Sequence, residues 1–266
     1  MRTPTAFACL SFSLLSLFCP PKAIPAAKDN PAADNTAESA LSENRRAIYL
    51  AAFEQHTLHT YALAGLPASG LPLDVYRQAL MGYYQLQKRG LANPAKNTLT
   101  IIDFNRSSRL KRLWVIDLQK SRVVHHTLVA HGINTGEEFA QAFSNRVGSE
   151  MSSLGFYVTS HTYTGKHGLS LRLRGVDPNY NTNAASRAVV VHGADYVCEE
   201  FVQRHGRLGR SQGCPALPMK ESSAIIRTIK DGTVLFAHAP SGVRYDSDWL
   251  ELDPALQAFA QVKGLN

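Results

Sequence analysis

The sequence predicts a mainly β domain of the sandwich or barrel kind, preceded by a two-helix region and carrying one helix in its C-terminal half. Three observations carry that expectation. From Thr98 onward, short runs of β-branched and aromatic residues alternate with turn residues. Before them lie two stretches with apolar residues at helical spacing. After Pro218 a single amphipathic stretch runs from Met219 to Lys230 and stops at Asp231-Gly232.

In chain order, Arg2 precedes an apolar run of 13 residues, Ala6 to Phe18, and then a Pro- and Ala-rich stretch. A positive start, a short apolar core and a small-residue end describe a Sec signal peptide over residues 1–26, because the run is too short to span a bilayer. A short membrane anchor is the rival reading; a lipoprotein anchored at Cys19 is disfavoured by bulky Phe18 before it. Removing 1–26 takes away Arg2 and Lys22 and no acidic residue, so a net charge of +7 becomes a milder positive excess. That balance suits work beside an anionic polymer. No dense Lys/Arg block argues for nucleic acid as a partner.

Residues 27–43 are small, polar and without aromatics, as a linker is. The helical region spans 44–92: one pattern from about Glu43 to Ala64, ended by Gly65, and a second from Leu71-Pro72-Leu73-Asp74 to Gly90. Strands are expected at 98–104, 112–118, 123–130, 155–160, 169–173, 188–192 and 234–238, which places a β-rich domain at 98–240 and leaves 241–266 as a C-terminal extension. This pattern is not that of a doubly wound α/β fold.

The chemistry concentrates in two segments. Val189-Val190-Val191 ends in His192-Gly193, which puts the histidine at the end of a buried strand. Gly206-Arg207-Leu208-Gly209-Arg210-Ser211-Gln212-Gly213 then leads to Cys214-Pro215, shortly before the helix after Pro218. A thiol beside a histidine and ahead of a helix N-terminus is expected to ionise easily, and Gly213 gives the backbone freedom to aim N–H groups at an oxyanion. By themselves, a Cys and a His 22 residues apart leave the question open.

From about Thr98 to Pro240 the chain resembles the murein L,D-transpeptidase catalytic domain family, of the YkuD type. His192-Gly193 followed by Ser211-Gln212-Gly213-Cys214 fits that family's His-Gly and Ser-x-Gly-Cys pattern. Further likeness lies at Phe143-Ser144-Asn145, Ser149, Ser152 to Tyr157, Tyr163-Thr164-Gly165-Lys166-His167-Gly168 and Gly209-Arg210-Ser211. The resemblance implies a YkuD-like β-sandwich or barrel, with Cys214 as the acylated nucleophile, His192 as its base and the Gly193 carbonyl orienting the imidazole. Amides at Gly213 and Cys214 would form the oxyanion hole, with Ser211 and Gln212 in the same loop. Two positions depart from the wider family: Gln212 stands where a His is usual, and Ala216 where an Arg or Asn is.

The implied substrate is the peptidoglycan stem tetrapeptide, cut between its third and fourth residues through a thioester and passed to an amine. Water in place of the amine would make the same site an L,D-carboxypeptidase; a non-catalytic wall-binding module and another kind of cysteine peptidase are the remaining alternatives. Arg210 and Tyr163 are expected to hold the anionic stem, the rival for Arg210 being a brace on backbone carbonyls. No cofactor is expected, since Gly206 to Gly209 is no dinucleotide motif, and no metal, since His125 and His126 on one strand face opposite sides. His161 and His167 either line the cleft or are inert loop residues. Cys198 is read as a packing residue on a short helix with Val197 and Phe201, against the alternative of a redox bridge to Cys214. The expected product is a periplasmic or secreted monomer with no stable membrane insertion once the signal is removed.

Overall fold

The computed structural model describes residues 41–265. The signal-peptide segment and most of the 27–43 linker fall outside the described residues. Helix α1 covers Glu43–Leu63 and α3 covers Leu73–Lys88, as the spacing predicts, with a short α2 at Leu66–Ser69 between them. On α3, Val75, Ala79, Leu80, Tyr83 and Leu86 are all buried, the stripe that drives an amphipathic helix onto a sheet.

Eight strands follow: β1 Thr98–Asp103, β2 Leu113–Asp117, β3 Arg122–Thr127, β4 Gly155–Gly165, β5 Gly168–Gly175, β6 Val190–Ala194, β7 Ala216–Pro218 and β8 Val234–His238. Two helices, α4 Glu199–His205 and α5 Met219–Ile229, flank β7. The strands form one sheet in the order β3-β2-β1-β8-β4-β5-β6-β7. Its two edges nearly meet: the chain runs on from β3 to Ala130, whose N–H donates to the Ala216 carbonyl of β7 at 2.9 Å. The result is a barrel-like sheet almost closed on itself, as the sequence predicts, which leaves little open edge.

Both faces of the central strands are covered, so β1, β2 and β8 read as continuous apolar runs instead of alternating ones. Leu99, Ile101, Trp114, Phe156 and Phe236 pack outward against α1 and α3. Ile102, Val115, Tyr157, Val191 and Leu235 point inward onto Ile225, Ile226 and Ile229 of α5.

Three expectations change. The strands expected at 155–160 and 169–173 extend into a long β4–β5 hairpin, whose outer part, from Thr162 to Ser170, reaches past the strands that flank it. The strand expected from Ala188 starts at Val190, because Ala188 has a left-handed backbone (φ 53°). The apolar spacing expected on α1, at Ile48, Ala51, Leu58 and Ala62, faces outward, and Tyr49, Phe53, Thr57 and Thr60 are buried instead. The C-terminal extension is described over residues 241–265. They include helix α6, Leu252–Lys263, whose Phe259 meets Phe53 of α1 and Tyr84 of α3 edge-on at 5.3 and 5.1 Å. The lead-in is held by Trp249, which donates from Nε1 to the Val176 carbonyl at 2.9 Å, and by Ser247 on the buried Asp177 carboxylate. No described helix is long and apolar enough to cross a membrane.

The contact of α3 with the sheet depends on Gly82, where an added Cβ would stand 2.2 Å from the ring of buried Phe156. Gly82→Ala improves helix propensity by about 1 kcal/mol, but the clash in a packed core is expected to win. A net loss of about 1–3 kcal/mol in denaturant unfolding is the expected outcome.

Candidate active site

Strand β6 carries His192 into the barrel mouth, and β7 pairs parallel with it so that His192 faces Ala216. Cys214 lies two residues before Ala216. It stands in the loop ahead of β7, and its Sγ lies against the backbone of Ala188 and Val190 at the entry to β6. The Val190 N–H donates to Sγ at 3.4 Å, and the thiol proton is directed at the Ala188 carbonyl, 3.8 Å away. The imidazole makes no hydrogen bond to it in this arrangement.

His192 is 4 % exposed. Its Nδ1 lies 2.9 Å from the Gly193 carbonyl, an acceptor only, so Nδ1 carries the proton and Nε2 keeps its lone pair. Burial pushes its pKa below the ordinary 6.5; the Gly193 carbonyl pulls the other way, and His167 and Lys166 add to the lowering. The half-buried thiol is pushed up from 9.0 by burial, against the Val190 N–H, Arg187 and Lys166. At rest both groups are therefore neutral.

The sequence expectation of an easily ionised thiol at a helix N-terminus is not met. Helix α5 starts at Met219, with β7 between it and Cys214, and the field of a helix end fades within its first turn.

The loop holding Cys214 is stapled by Ser211. Its Oγ donates to the Cys214 carbonyl at 2.6 Å and accepts from the Gly213 N–H at 3.1 Å. The Ser211 N–H in turn donates to the His131 carbonyl at 2.9 Å. Gly213 has φ +111°, and a Cβ there would lie 2.6 Å from the Met151 carbonyl oxygen, so only glycine fits. With its N–H committed to Ser211, Gly213 is a poorer oxyanion donor than the sequence implies. The Cys214 N–H has no acceptor among the described residues.

Gln212 is exposed and donates to Glu150 at 3.2 Å. Arg210 directs Nη1 to the Ile133 and Gly136 carbonyls at 3.3 and 3.2 Å and to Glu137 at 2.6 Å. That is the geometry of the brace; gripping a stem peptide would require it to let go. Tyr163 stands on β4 with the Arg172 guanidinium 4.8 Å from its ring centre.

Two residues that sequence reasoning passed over, Arg187 and Tyr196, complete the surroundings together with His167, which it left as a cleft-lining or an inert residue. Arg187 ties down the loop beneath Gly213, donating to Ser144 O at 2.7 Å, Ser149 Oγ at 3.1 Å and Met151 O at 2.5 Å, and its charge reaches Cys214. Tyr196 packs where a Cβ on Gly209 would go; burial first and the nearby thiol second raise its phenol to about 12. His167 lies over His192, ring centres 4.4 Å apart and planes 25° apart. Only His167 had a signal in the sequence, through its place in the Tyr163 to Gly168 segment.

The other histidines diverge. His125 bonds Thr228 at 3.2 Å, His126 stacks on Trp114, and His131 is buried between Arg112 Nη2 and the Gly136 carbonyl. Among the described residues no group of three His, Cys, Asp or Glu side chains is gathered as a metal site. Cys198 precedes α4 instead of lying within a helix. It is half-exposed, with Sγ donating to the Asp195 carbonyl at 3.4 Å, and both Cys198 and Cys214 are free thiols. Ser211→Ala removes both staple bonds and strands a buried N–H; a stability loss of about 1–3 kcal/mol in denaturant unfolding is expected, together with faster alkylation of Cys214 as the loop loosens.

A family model for the L,D-transpeptidase catalytic domain matches residues 67–238, more than half of the chain. No curated protein matches in sequence. Among solved structures the chain is similar to an L,D-transpeptidase from Mycobacterium smegmatis (12 % identity, 54 % of this chain and 59 % of that one, TM-score 0.34). It is also similar to the helical cell shape determining protein Pgp2 from Campylobacter jejuni (11 %, 70 % and 65 %, 0.39) and to an L,D-transpeptidase (Yku) from Stackebrandtia nassauensis (14 %, 77 % and 95 %, 0.32). The chain thus spans less than two thirds of the first two. The family match, over a barrel-like sheet that brings His192 and Cys214 to one mouth, decides the assignment: the chain belongs to the L,D-transpeptidase catalytic domain family.

Proposed function

We propose that this protein is an exported peptidoglycan L,D-transpeptidase that works through a thioester on Cys214. The observation that carries the reading is the His192 tautomer: with Nδ1–H held by the Gly193 carbonyl, Nε2 keeps its lone pair on the strand beside β7 and is a ready proton acceptor. In the reaction, Nε2 takes the Sγ proton as the thiol turns from the Ala188 carbonyl. The thiolate attacks the carbonyl carbon between the third and fourth stem residues. The Cys214 N–H faces the resulting oxyanion. Collapse breaks the C–N bond, and the imidazolium returns its proton to the departing D-Ala amine. An acceptor amine, giving up a proton to His192, then attacks the thioester and frees the thiol. The proposed place of work is the periplasm or cell exterior, and the substrate the anionic stem peptide, in keeping with the basic Arg187, Lys166 and Arg210 around the mouth.

A neutral resting pair suits this sequence of steps. Proton transfer is deferred until substrate displaces water, and the base is already unprotonated at neutral pH. Because the imidazole must be neutral and its pKa lies below 6.5, activity is retained as pH falls through 6.5 and is lost only below it. A kcat/KM profile reads this directly, and an acid limb above 6.5 contradicts it.

The deciding experiment incubates purified mature protein with muropeptides and follows them by mass spectrometry. Crosslinked dimers with loss of D-Ala, and a mass adduct on Cys214, are expected. Tripeptides alone would assign the L,D-carboxypeptidase instead, and unchanged muropeptides the binding module. His192→Ala is expected to cost roughly 10²–10⁴ in turnover through loss of the base. Cys214→Ser is expected to abolish it, since an alkoxide is far harder to form.

A further inference from the structure

The β4–β5 hairpin is longer than the sheet requires. Only Gly155 to Val158 of β4 pair with β8, and only Leu171 and Arg172 of β5 pair with β6. Thr159 and Ser160 still bond the 231–233 turn; past them the paired residues of the two strands run from Thr162 opposite Leu171 out to Gly165 opposite Gly168. The register slips between Thr159 and Thr162, and such a bulge bends a hairpin and re-aims its end. The bent arm crosses the barrel mouth: Leu169 packs on the interior cluster, and the tip residue His167 lies on His192.

We propose that His167 is a positioning residue for the base, its ring holding the face of the His192 imidazole so that Nδ1–H stays on the Gly193 carbonyl and Nε2 stays turned toward the thiol's side. The proposal rests on the reading of His192 as the base. Rotation about the last torsion of a histidine is soft and broad. One hydrogen bond from Nδ1 pins an edge of the ring but leaves its plane free to swing. A second ring at 4.4 Å, tilted by 25°, closes that freedom from the side the barrel leaves open.

The same contact bears on charge. The charged groups whose fields reach His192 are Lys166 and His167 from the hairpin, and those that reach Cys214 are Lys166 and Arg187. None of these is a carboxylate. A protonated His192 would have only the Gly193 carbonyl as partner and would meet Lys166 and His167 as like charges. The stack therefore favours the neutral, base-competent ring, and it does so from an exposed hairpin tip whose replacement leaves the barrel core untouched.

The test compares wild type with His167→Ala and His167→Phe. It reads the His192 ring titration by NMR, kcat and KM on a stem tetrapeptide, and Cys214 alkylation by iodoacetamide. In His167→Ala the His192 midpoint is expected to rise toward 6.5 and kcat to fall roughly 10- to 100-fold, the scale of a misplaced catalytic group. His167→Phe, which keeps a stacked ring, is expected to recover most of kcat. Loss confined to KM with the titration unmoved would overturn the proposal, because the tip would then touch substrate only. So would unchanged kcat and titration in His167→Ala. Should wild type fail to turn over stem peptides at all, the functional reading fails, while the titration and alkylation data still judge the stack.

Discussion

The site depends on a three-residue strand. Strand β7, Ala216–Pro218, pairs parallel with β6 on one side and receives the Ala130 N–H on the other. These few bonds close the barrel and at the same time fix where Cys214 falls relative to His192. A slip of one residue in that pairing would carry the loop that holds Cys214 along β6, away from its bond to the Val190 N–H. The surrounding structure guards against the slip. Ser211 is held from both sides, by the His131 carbonyl and by its own bonds to Gly213 and Cys214. His131 is in turn fixed as a neutral ring between the buried Arg112 and the Gly136 carbonyl, its pKa depressed to about 4 chiefly by burial and then by Arg112.

Burial, more than charge, sets the resting state of Cys214 and His192. Arg187 and Lys166 both favour a thiolate, yet desolvation outweighs them. Desolvation likewise keeps the imidazole neutral. The cations are then positioned to matter later, when negative charge develops on sulfur and on the carbonyl oxygen in a site from which water has been displaced. Arg187 serves two ends here, since the same guanidinium that faces the thiol also holds the 144–153 segment under Gly213.

Outside the family match, α1 and α6 form a layer with α3 over the outer face of the sheet. The tether between that layer and the barrel is polar and buried: Asp177 accepts from Ser247 at 2.9 Å, from the Phe156 N–H at 3.2 Å and from Tyr245. Gln85 of α3 donates to the Trp249 carbonyl at 2.9 Å. Satisfied networks of this kind specify one arrangement of neighbouring layers more sharply than apolar contact does.

The sequence by itself determined the elements whose signal is local. The stripes of α3 and α5 and the apolar runs of β2 and β8 are short-range patterns, because burial imposes its period directly on neighbouring residues; on α1 the apolar spacing marks the helix but not its buried face, which is Tyr49, Phe53, Thr57 and Thr60. The mainly β barrel-like class and the Cys214 and His192 candidates follow from the same kind of reading, strengthened by motif resemblance. What depends on residues far apart in the chain was left to the tertiary structure. Strand β7 is too short and too Pro-flanked to show a period, and it exists only through β6 and Ala130. Helix α6 and the outer half of the β4–β5 hairpin carry mixed polar faces that make sense only against their partners. The raised thiol and lowered imidazole arise from burial, which no local pattern encodes. Arg187, Tyr196 and His167 reach the site by folding back across the barrel mouth, so their relation to Cys214 and His192 is a property of the closed sheet and not of any segment.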